Sequence, residues 1–217
     1  MLPPFLFDLD GTLADTLADI AASTNHVRVA NGLPALPDAV VRTFVGDGAR
    51  TLLARALHDV LPKDGPDRER ALDRAFATYA EHHQVQCTGH ATLYPGAMAH
   101  LRTLHDRGHP LAVVTNKPER FAVPLCAHLG LGELVRVVLG GDSLPVKKPD
   151  PGPLHEALRR LGHHGPGATM VGDGVQDLRA GKAAGCRTIA CLFGFGEARA
   201  LRAEGADHYW RAFGESA

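Results

Sequence analysis

The stretch FLFDLDGTLADT, residues 5–16, decides how this chain is read. An apolar, β-prone run ends in two aspartates one residue apart, Asp8 and Asp10, followed at once by Gly11 and Thr12. Like charges at that spacing repel, so a strand that ends in them needs positive charge close by. Moving outward, comparable short apolar runs recur at residues 110–116 (PLAVVTN), 136–142 (RVVLGGD), 168–173 (ATMVGD) and 186–192 (CRTIACL), with a weaker one at 206–210 (ADHYW). Near-continuous apolar strands that alternate with helical stretches predict an α/β fold, a parallel sheet covered on both faces.

The helices carry their own punctuation. GAMAHLRTLHDRGH (96–109) has apolar residues at 97, 98, 101 and 104 with Gly108 just beyond, an amphipathic helix with a stop. Pro118 and Gly130 bracket the next, and helices over 153–161 and 175–184 close on Gly162 and Gly185. The first connection is far longer than a crossover needs. Residues 15–92 show no convincing strand but do show helical periodicity in DTLADIAASTNHVRVAN, ARTLLARALHDV and DRERALDRAFATYAEHH. The expected organisation is therefore a core domain of residues 1–14 plus 93–217 and a helical cap domain of residues 15–92.

Composition narrows the partners. Hydrophobic residues are 45% of the 217, enough for a sizeable core, and 23 Lys+Arg against 24 Asp+Glu leave no basic field for nucleic acid. The four cysteines form no Cys-x-x-Cys pair, the N-terminus lacks signal-peptide features, and no apolar run reaches the roughly 20 residues that span a bilayer. These point to a cytoplasmic protein with reduced thiols and no membrane partner; a monomer and a homodimer both stay open. Among thirteen histidines, the pairs His82-His83 and His163-His164 lack zinc-ligand spacing and are expected at the surface or at helix ends. FGFGE (193–197) is expected as loop packing near the rim and Trp210 as a C-terminal core anchor.

Polar residues gather where the strands stop: Asp8, Asp10 and Thr12 after the first, Thr115 and Asn116 after the second, Asp173 and Asp177 after a later one. Lys147 and Lys148, in the Pro-rich VKKPDPGPL, follow the third. Taken singly, each has an ordinary explanation as a cap, a turn or a solvated loop. Four strand ends supplying groups that suit one site are hard to obtain from capping preferences alone. In open α/β sheets the ligand crevice lies outside the carboxyl ends of the strands, so these groups are expected to converge. Hard carboxylate oxygens beside a threonine and a lysine suit Mg²⁺ and a phosphoryl group. A divalent cation seated on Asp8 and Asp10 also explains why the two tolerate each other.

In order, Asp-x-Asp-Gly-Thr, the strand-end threonine, the lysine and Gly-Asp-x-x-x-Asp resemble the phosphatase pattern of the haloacid dehalogenase superfamily over nearly the whole chain. The resemblance implies a Rossmann-like core, a helical cap, and hydrolysis through an aspartyl-phosphate. By it, Asp8 is the nucleophile and Asp10 the acid and then base. Thr115 and Asn116 bind phosphoryl oxygens, and Lys148 steadies nucleophile and phosphate. Asp8, the Asp10 backbone carbonyl and Asp173 hold Mg²⁺, with Asp177 and Thr12 orienting the site from behind. Two carboxylates suit two-step hydrolysis, one to attack and one to carry the proton. Asp10 argues against the dehalogenase and phosphonate-cleaving branches, which lack it. The motif departs at Gly174, where many relatives carry Ser or Thr.

FVGDGARTLLARAL (44–57), VTNKPERFAVPL (114–125), GGDSLPVKKPDPGPL (140–154) and FGFGE resemble the phosphoglycolate phosphatase family, which implies 2-phosphoglycolate as substrate. Gly46, Asp47 and Gly48 precede a helix, whose free N–H groups would meet a substrate carboxylate, with Arg50 or Arg55 adding a charge-assisted bond. Two other readings share these residues: a sugar-phosphate phosphatase or phosphomutase of the same build, and a non-catalytic regulator that keeps the scaffold for binding.

Overall fold

The computed structural model describes residues 2–215; Met1, Ser216 and Ala217, the outermost residues of the expected core, lie outside it. The chain begins with β1 (Phe5–Phe7) and β2 (Ala14–Asp15), then α1 (Leu17–Ala30), α2 (Asp38–Arg42), α3 (Ala49–Ala56) and α4 (Gly65–Gln86). It continues through β3 (Thr92–Leu93), α5 (Ala97–Asp106), β4 (Leu111–Val114), α6 (Glu119–His128), β5 (Val137–Leu139) and α7 (Gly152–Arg160). The last elements are β6 (Thr169–Gly172), α8 (Val175–Ala183), β7 (Arg187–Cys191), α9 (Ala198–Glu204) and β8 (His208–Trp210).

Six strands form one sheet in the order β5-β4-β1-β6-β7-β8, every neighbouring pair parallel. Every residue of β4 and β6 is buried, as near-continuous apolar runs require of a sheet covered on both faces. Alternate side chains enter opposite layers. Phe7, Val113, Val171 and Ile189 pack with Leu101 and Leu125 on one face, while Leu6, Val114, Met170 and Leu139 pack with Leu154 and Leu158 on the other. Trp210 closes the first layer at 2% exposure. The chain moves from β1 to β4 and β5 on one side and then to β6, β7 and β8 on the other. The order thus reverses beside β1, and a crevice opens at its carboxyl end.

Between β2 and β3, helices α1 to α4 build a separate apolar cluster from Ile20, Val27, Leu52, Leu57, Leu72 and Tyr79. Phe121 of α6 is fully buried in that same cluster, so these helices pack onto the core beside the crevice. Chain exit and return are tied by an antiparallel ribbon, Ala14 opposite Leu93 and Asp15 opposite Thr92. The sequence gives no sign of this ribbon, because two residues per strand carry no period-2 alternation. The short α2 escapes for the same reason, five residues being little more than one turn. Among the described residues, no helix is long and apolar enough to cross a membrane.

Candidate active site

Asp8, Thr115 and Asp173 each stand one residue past the end of β1, β4 and β6, all buried. Gly11 makes this crowding possible: at φ 83°, its missing Cβ would lie 2.4 Å from Asp173 Oδ2. Asp173 is held from two sides. Its Oδ1 accepts from Thr12 Oγ1 at 2.7 Å, and its Oδ2 accepts from the Phe195 and Gly196 N–H groups at 2.7 and 3.2 Å. The FGFGE loop is thus more than rim packing, since its backbone cradles a site carboxylate. In the first turn of α8, Asp177 Oδ2 accepts the Gly174 N–H at 2.9 Å.

Lys148 lies beneath these carboxylates with its side chain 1% exposed. Its Nζ donates to the Val114 carbonyl and sits 2.9 Å from Asp8 Oδ1 and 2.6 Å from Asp177 Oδ1. Lys148 meets Asp8 Oδ1 and Asp177 Oδ1 as ion pairs, and neither oxygen accepts a hydrogen bond from any other group. Burial pulls the Lys148 pKa down, but Asp177 and Asp8 outweigh it and hold the ammonium above its ordinary range. Burial, then the Asp8 and Asp177 charges, push Asp173 up to about 7. Asp177 rises to about 6 through burial, despite the opposing pull of Lys148. Asp8, Asp173 and Asp177 each offer an oxygen within 4.8 Å of the others. Three hard oxygen donors against a single ammonium, a deficit of two positive charges, fit Mg²⁺.

The Asp10 carboxylate takes no part in that cluster. Lys117 Nζ lies 3.1 and 3.3 Å from its two oxygens, and Thr16 Oγ1 donates to its Oδ1 at 2.7 Å. Any share Asp10 has in a metal site therefore falls to its backbone carbonyl, as the motif resemblance implies, and its side chain is left to other work. Lys117 and Thr16 are functional neighbours that the sequence reading passes over. Lys117 precedes the Pro118 that opens α6 and reads as turn chemistry, whereas the structure buries it to 7% exposure.

A cavity of about 590 Å³ lies over these groups and reaches the cap loop at Gly46, Gly48 and Ala49, where the sequence places a contact with substrate. Other expected cap contacts differ. Arg50 pairs with Glu69 and Asp73, while Arg55 pairs with Asp47 and donates to the Phe44 carbonyl. Neither lines the cavity, because acidic partners within the cap already hold both guanidiniums. The arginine that does line it is Arg42, whose Nε and Nη2 donate to the carbonyls of Phe195 and Gly194 and so clamp α2 to the loop under Asp173. Asn116, expected on the phosphate, gives its amide N–H groups to the Gly46 and Lys148 carbonyls, both at 2.9 Å. It is a strut between cap and core, and Lys147 is a second, donating to the Asp47 carbonyl at 2.6 Å.

At Gly174 a Cβ would fall 2.0 Å from Gln176 Nε2, so the Gln176 amide occupies the space of the absent hydroxyl side chain. His83 lies at a helix end, in the last turn of α4, but is buried. It stacks on Tyr79, meets Phe121 edge-on and shares a 2.9 Å hydrogen bond with Ser23 Oγ.

Comparison with known proteins agrees with this geometry. The family model described as Haloacid dehalogenase-like hydrolase matches residues 5–191. A phosphoglycolate phosphatase from Chromobacterium violaceum is 40% identical over 200 residues, 91% of this chain and 88% of that one. Another, from Pseudomonas syringae, is 38% identical over 92% of this chain and 72% of its own length. A crystal structure described as a predicted phosphoglycolate phosphatase from Haemophilus somnus superposes with a TM-score of 0.84 at 30% identity, covering 98% of this chain and 95% of that one. With motif residues gathered at one crevice, and with family and relatives agreeing over most of its length, this chain belongs to the haloacid dehalogenase-like hydrolases, as one of their phosphatases.

Proposed function

We propose that the protein is a Mg²⁺-dependent phosphomonoester hydrolase that works through an aspartyl-phosphate on Asp8, with 2-phosphoglycolate as its substrate. The observation that carries the reading is the buried cluster itself: Asp8 at a strand end, 2.9 Å from a lysine and within reach of two further carboxylates, at the floor of a cavity under the cap.

An anionic carboxylate attacking an anionic phosphate meets repulsion, which buried positive charge offsets far better than the same charge would in water. Mg²⁺, held by Asp8, Asp173 and the Asp10 backbone carbonyl, would supply part of that neutralisation. Lys148 supplies the rest, and the Thr115 hydroxyl binds a phosphoryl oxygen. As the bond from Asp8 to phosphorus forms, the ester bond breaks, and the leaving alkoxide takes a proton from Asp10. Asp10 then removes a proton from the water that hydrolyses the phospho-aspartate, releasing phosphate and restoring Asp8. Lys117 and Thr16 hold the Asp10 carboxylate for both steps. The cap limits bulk water during them.

Support for 2-phosphoglycolate comes from the names of the relatives and from a cavity of modest size shared between polar floor and apolar cap. Steady-state assays on a panel of small phosphate esters, in Mg²⁺ and in EDTA, test the reading. The expected result is the highest kcat/KM for 2-phosphoglycolate and no turnover in EDTA. A clear preference for a hexose phosphate, or full activity in EDTA, would overturn it.

A further inference from the structure

Lys117 has more capacity than holding Asp10 requires. Its side chain is 4% exposed, yet it borders the cavity. Thr16 already fixes Asp10 Oδ1, and a buried lysine-carboxylate pair is by itself weak evidence of a stabilising role. The phosphoryl centre has its own cation in Lys148, sealed beneath it. Ile20, Leu52 and Tyr79 of the cap, with Phe121 of α6, make part of the cavity wall apolar, so an anionic group entering there needs a cation aimed at it. Among the described residues, Arg42 is the other basic side chain on the lining; its Nε and Nη2 go to the Phe195 and Gly194 carbonyls, whereas Lys117 is the cation held on Asp10, where the leaving group would lie. Arg50 and Arg55 stand outside it.

We infer that Lys117 Nζ recognises the anionic group that a substrate carries beyond its leaving oxygen, and so selects acidic phosphate esters over neutral ones. The inference rests on the proposed function in that Asp10 faces the leaving oxygen. In 2-phosphoglycolate a carboxylate follows that oxygen after one methylene carbon. A cation bonded to Asp10 is then positioned to meet that carboxylate. An ammonium has three donors, so Lys117 can keep Asp10 and bind the substrate carboxylate at once. The two lysines would divide the work, Lys148 serving the phosphoryl end and Lys117 the acid end.

The test compares kcat/KM for 2-phosphoglycolate and for ethyl phosphate, which lacks the carboxylate, in the wild type and in Lys117→Met with Mg²⁺ present. The variant should lose roughly 30-fold to several thousand-fold on 2-phosphoglycolate, the range for truncating one partner of a buried charge pair. On ethyl phosphate it should lose about tenfold or less, so that the preference collapses. Lys117→Arg should retain part of the preference. If the Met variant does not fold, Lys117→Gln, which keeps a donor for Asp10 and drops the charge, decides the same ratio.

Equal losses on both esters would leave Lys117 as a positioning residue for Asp10 and overturn the inference while the proposed substrate stands. A wild type that prefers a different acidic ester would overturn that substrate, and the variant ratio on the new ester would then decide the inference. A wild type that prefers no acidic ester would overturn both.

Discussion

Replacing Lys148 with Met keeps the volume of the side chain and removes its charge, and the consequence can be worked from the cluster around it. Asp8 and Asp177 lose a cation at 2.9 and 2.6 Å, and three buried carboxylates are left with no counter-charge. Removing one partner of a buried ion pair costs about 3–5 kcal/mol, and the near-isosteric change adds little cavity cost. For a chain of 217 residues the unfolding entropy is about 0.46 kcal/mol per kelvin, so Tm should fall by roughly 7–11 °C in EDTA at pH 8. Two conditions should narrow the gap. Mg²⁺ replaces the missing positive charge, so the ion should raise Tm more in the variant than in the wild type. Acid also helps, and the sign follows from the raised pKa values of Asp173 and Asp177, about 7 and about 6. A carboxyl whose folded pKa is raised favours the folded state most below its unfolded pKa near 4, and that advantage is lost as pH climbs toward 7. The difference between the proteins should therefore be smaller at pH 5 than at pH 8. Thermal melts at both pH values, with and without the ion, read all of this. A gap under about 2 °C in EDTA at pH 8, or one indifferent to both pH and Mg²⁺, would refute the electrostatic account.

Asp8→Asn should abolish turnover with the fold intact, whereas Asp10→Asn should cost at least about tenfold more on an alkyl phosphate than on p-nitrophenyl phosphate, whose leaving group needs no proton. Equal losses on the two esters would remove Asp10 from the acid role. Gly194→Ala would set a Cβ 2.2 Å from the Gly11 carbonyl and 2.4 Å from Asp173 Cβ. We expect a loss of about 1–3 kcal/mol in chemical denaturation and weaker Mg²⁺ binding by calorimetry. Gly174→Ser alone should destabilise because Gln176 fills the space, and adding Gln176→Ala should recover much of the loss. A coupling of about 1 kcal/mol or more in the double-mutant cycle is the expected reading, and strict additivity contradicts it. Burial, then Lys117 and His82, lower the His83 pKa to about 2, so this ring is neutral when folded and protonates on unfolding below about 6.5. Its contribution is present above that value and is lost as pH falls toward 2. From pH 8 to pH 5 the wild type should lose about 2 kcal/mol more than His83→Phe, measured by urea unfolding.

What the sequence made legible was whatever a periodic pattern or a chemically special residue could announce. The sheet strands are short apolar runs with turn residues at each end, and all six sheet strands appear where those runs lie. Asp8 and Asp173 are charges at strand ends and Lys148 a charge on the Pro-rich loop after another strand, placements that burial alone does not favour, and the structure brings them together. The misses share a cause, which is that side-chain direction at the cap depends on which partners happen to lie nearby. Arg50 and Arg55 are cations on the helix after the Gly46-Asp47-Gly48 loop, and nothing local tells that Glu69, Asp73 and Asp47 engage them first. Arg42, in a helix of five residues, gives no periodic signal, and only the fold shows that it meets carbonyls some 150 positions away. Gln176 is visible only through a space that a glycine leaves open.

The charge inventory of the floor explains why its parts must come as a set. Asp8, Asp10, Asp173 and Asp177 face Lys117 and Lys148, a formal balance of about −2 within a low-dielectric pocket where such an excess is far costlier than in water. A divalent cation bound there would cancel it, and would serve the two buried carboxylate oxygens that accept no hydrogen bond, Asp8 Oδ1 and Asp177 Oδ1. The two lysines are not interchangeable in this balance. Lys148 is tied by a backbone carbonyl and two carboxylates, a fixed charge around which the nucleophile is organised. Lys117 touches one carboxylate and the cavity, a charge still able to take a ligand. Placing the fixed cation at the phosphoryl end and the available one at the leaving-group end lets one pocket catalyse with the first and discriminate with the second. Substrate choice then rests on a residue other than the cation that holds the nucleophile, so variants of Lys117 should alter preference, at some cost through Asp10, without dismantling the centre that Lys148 holds.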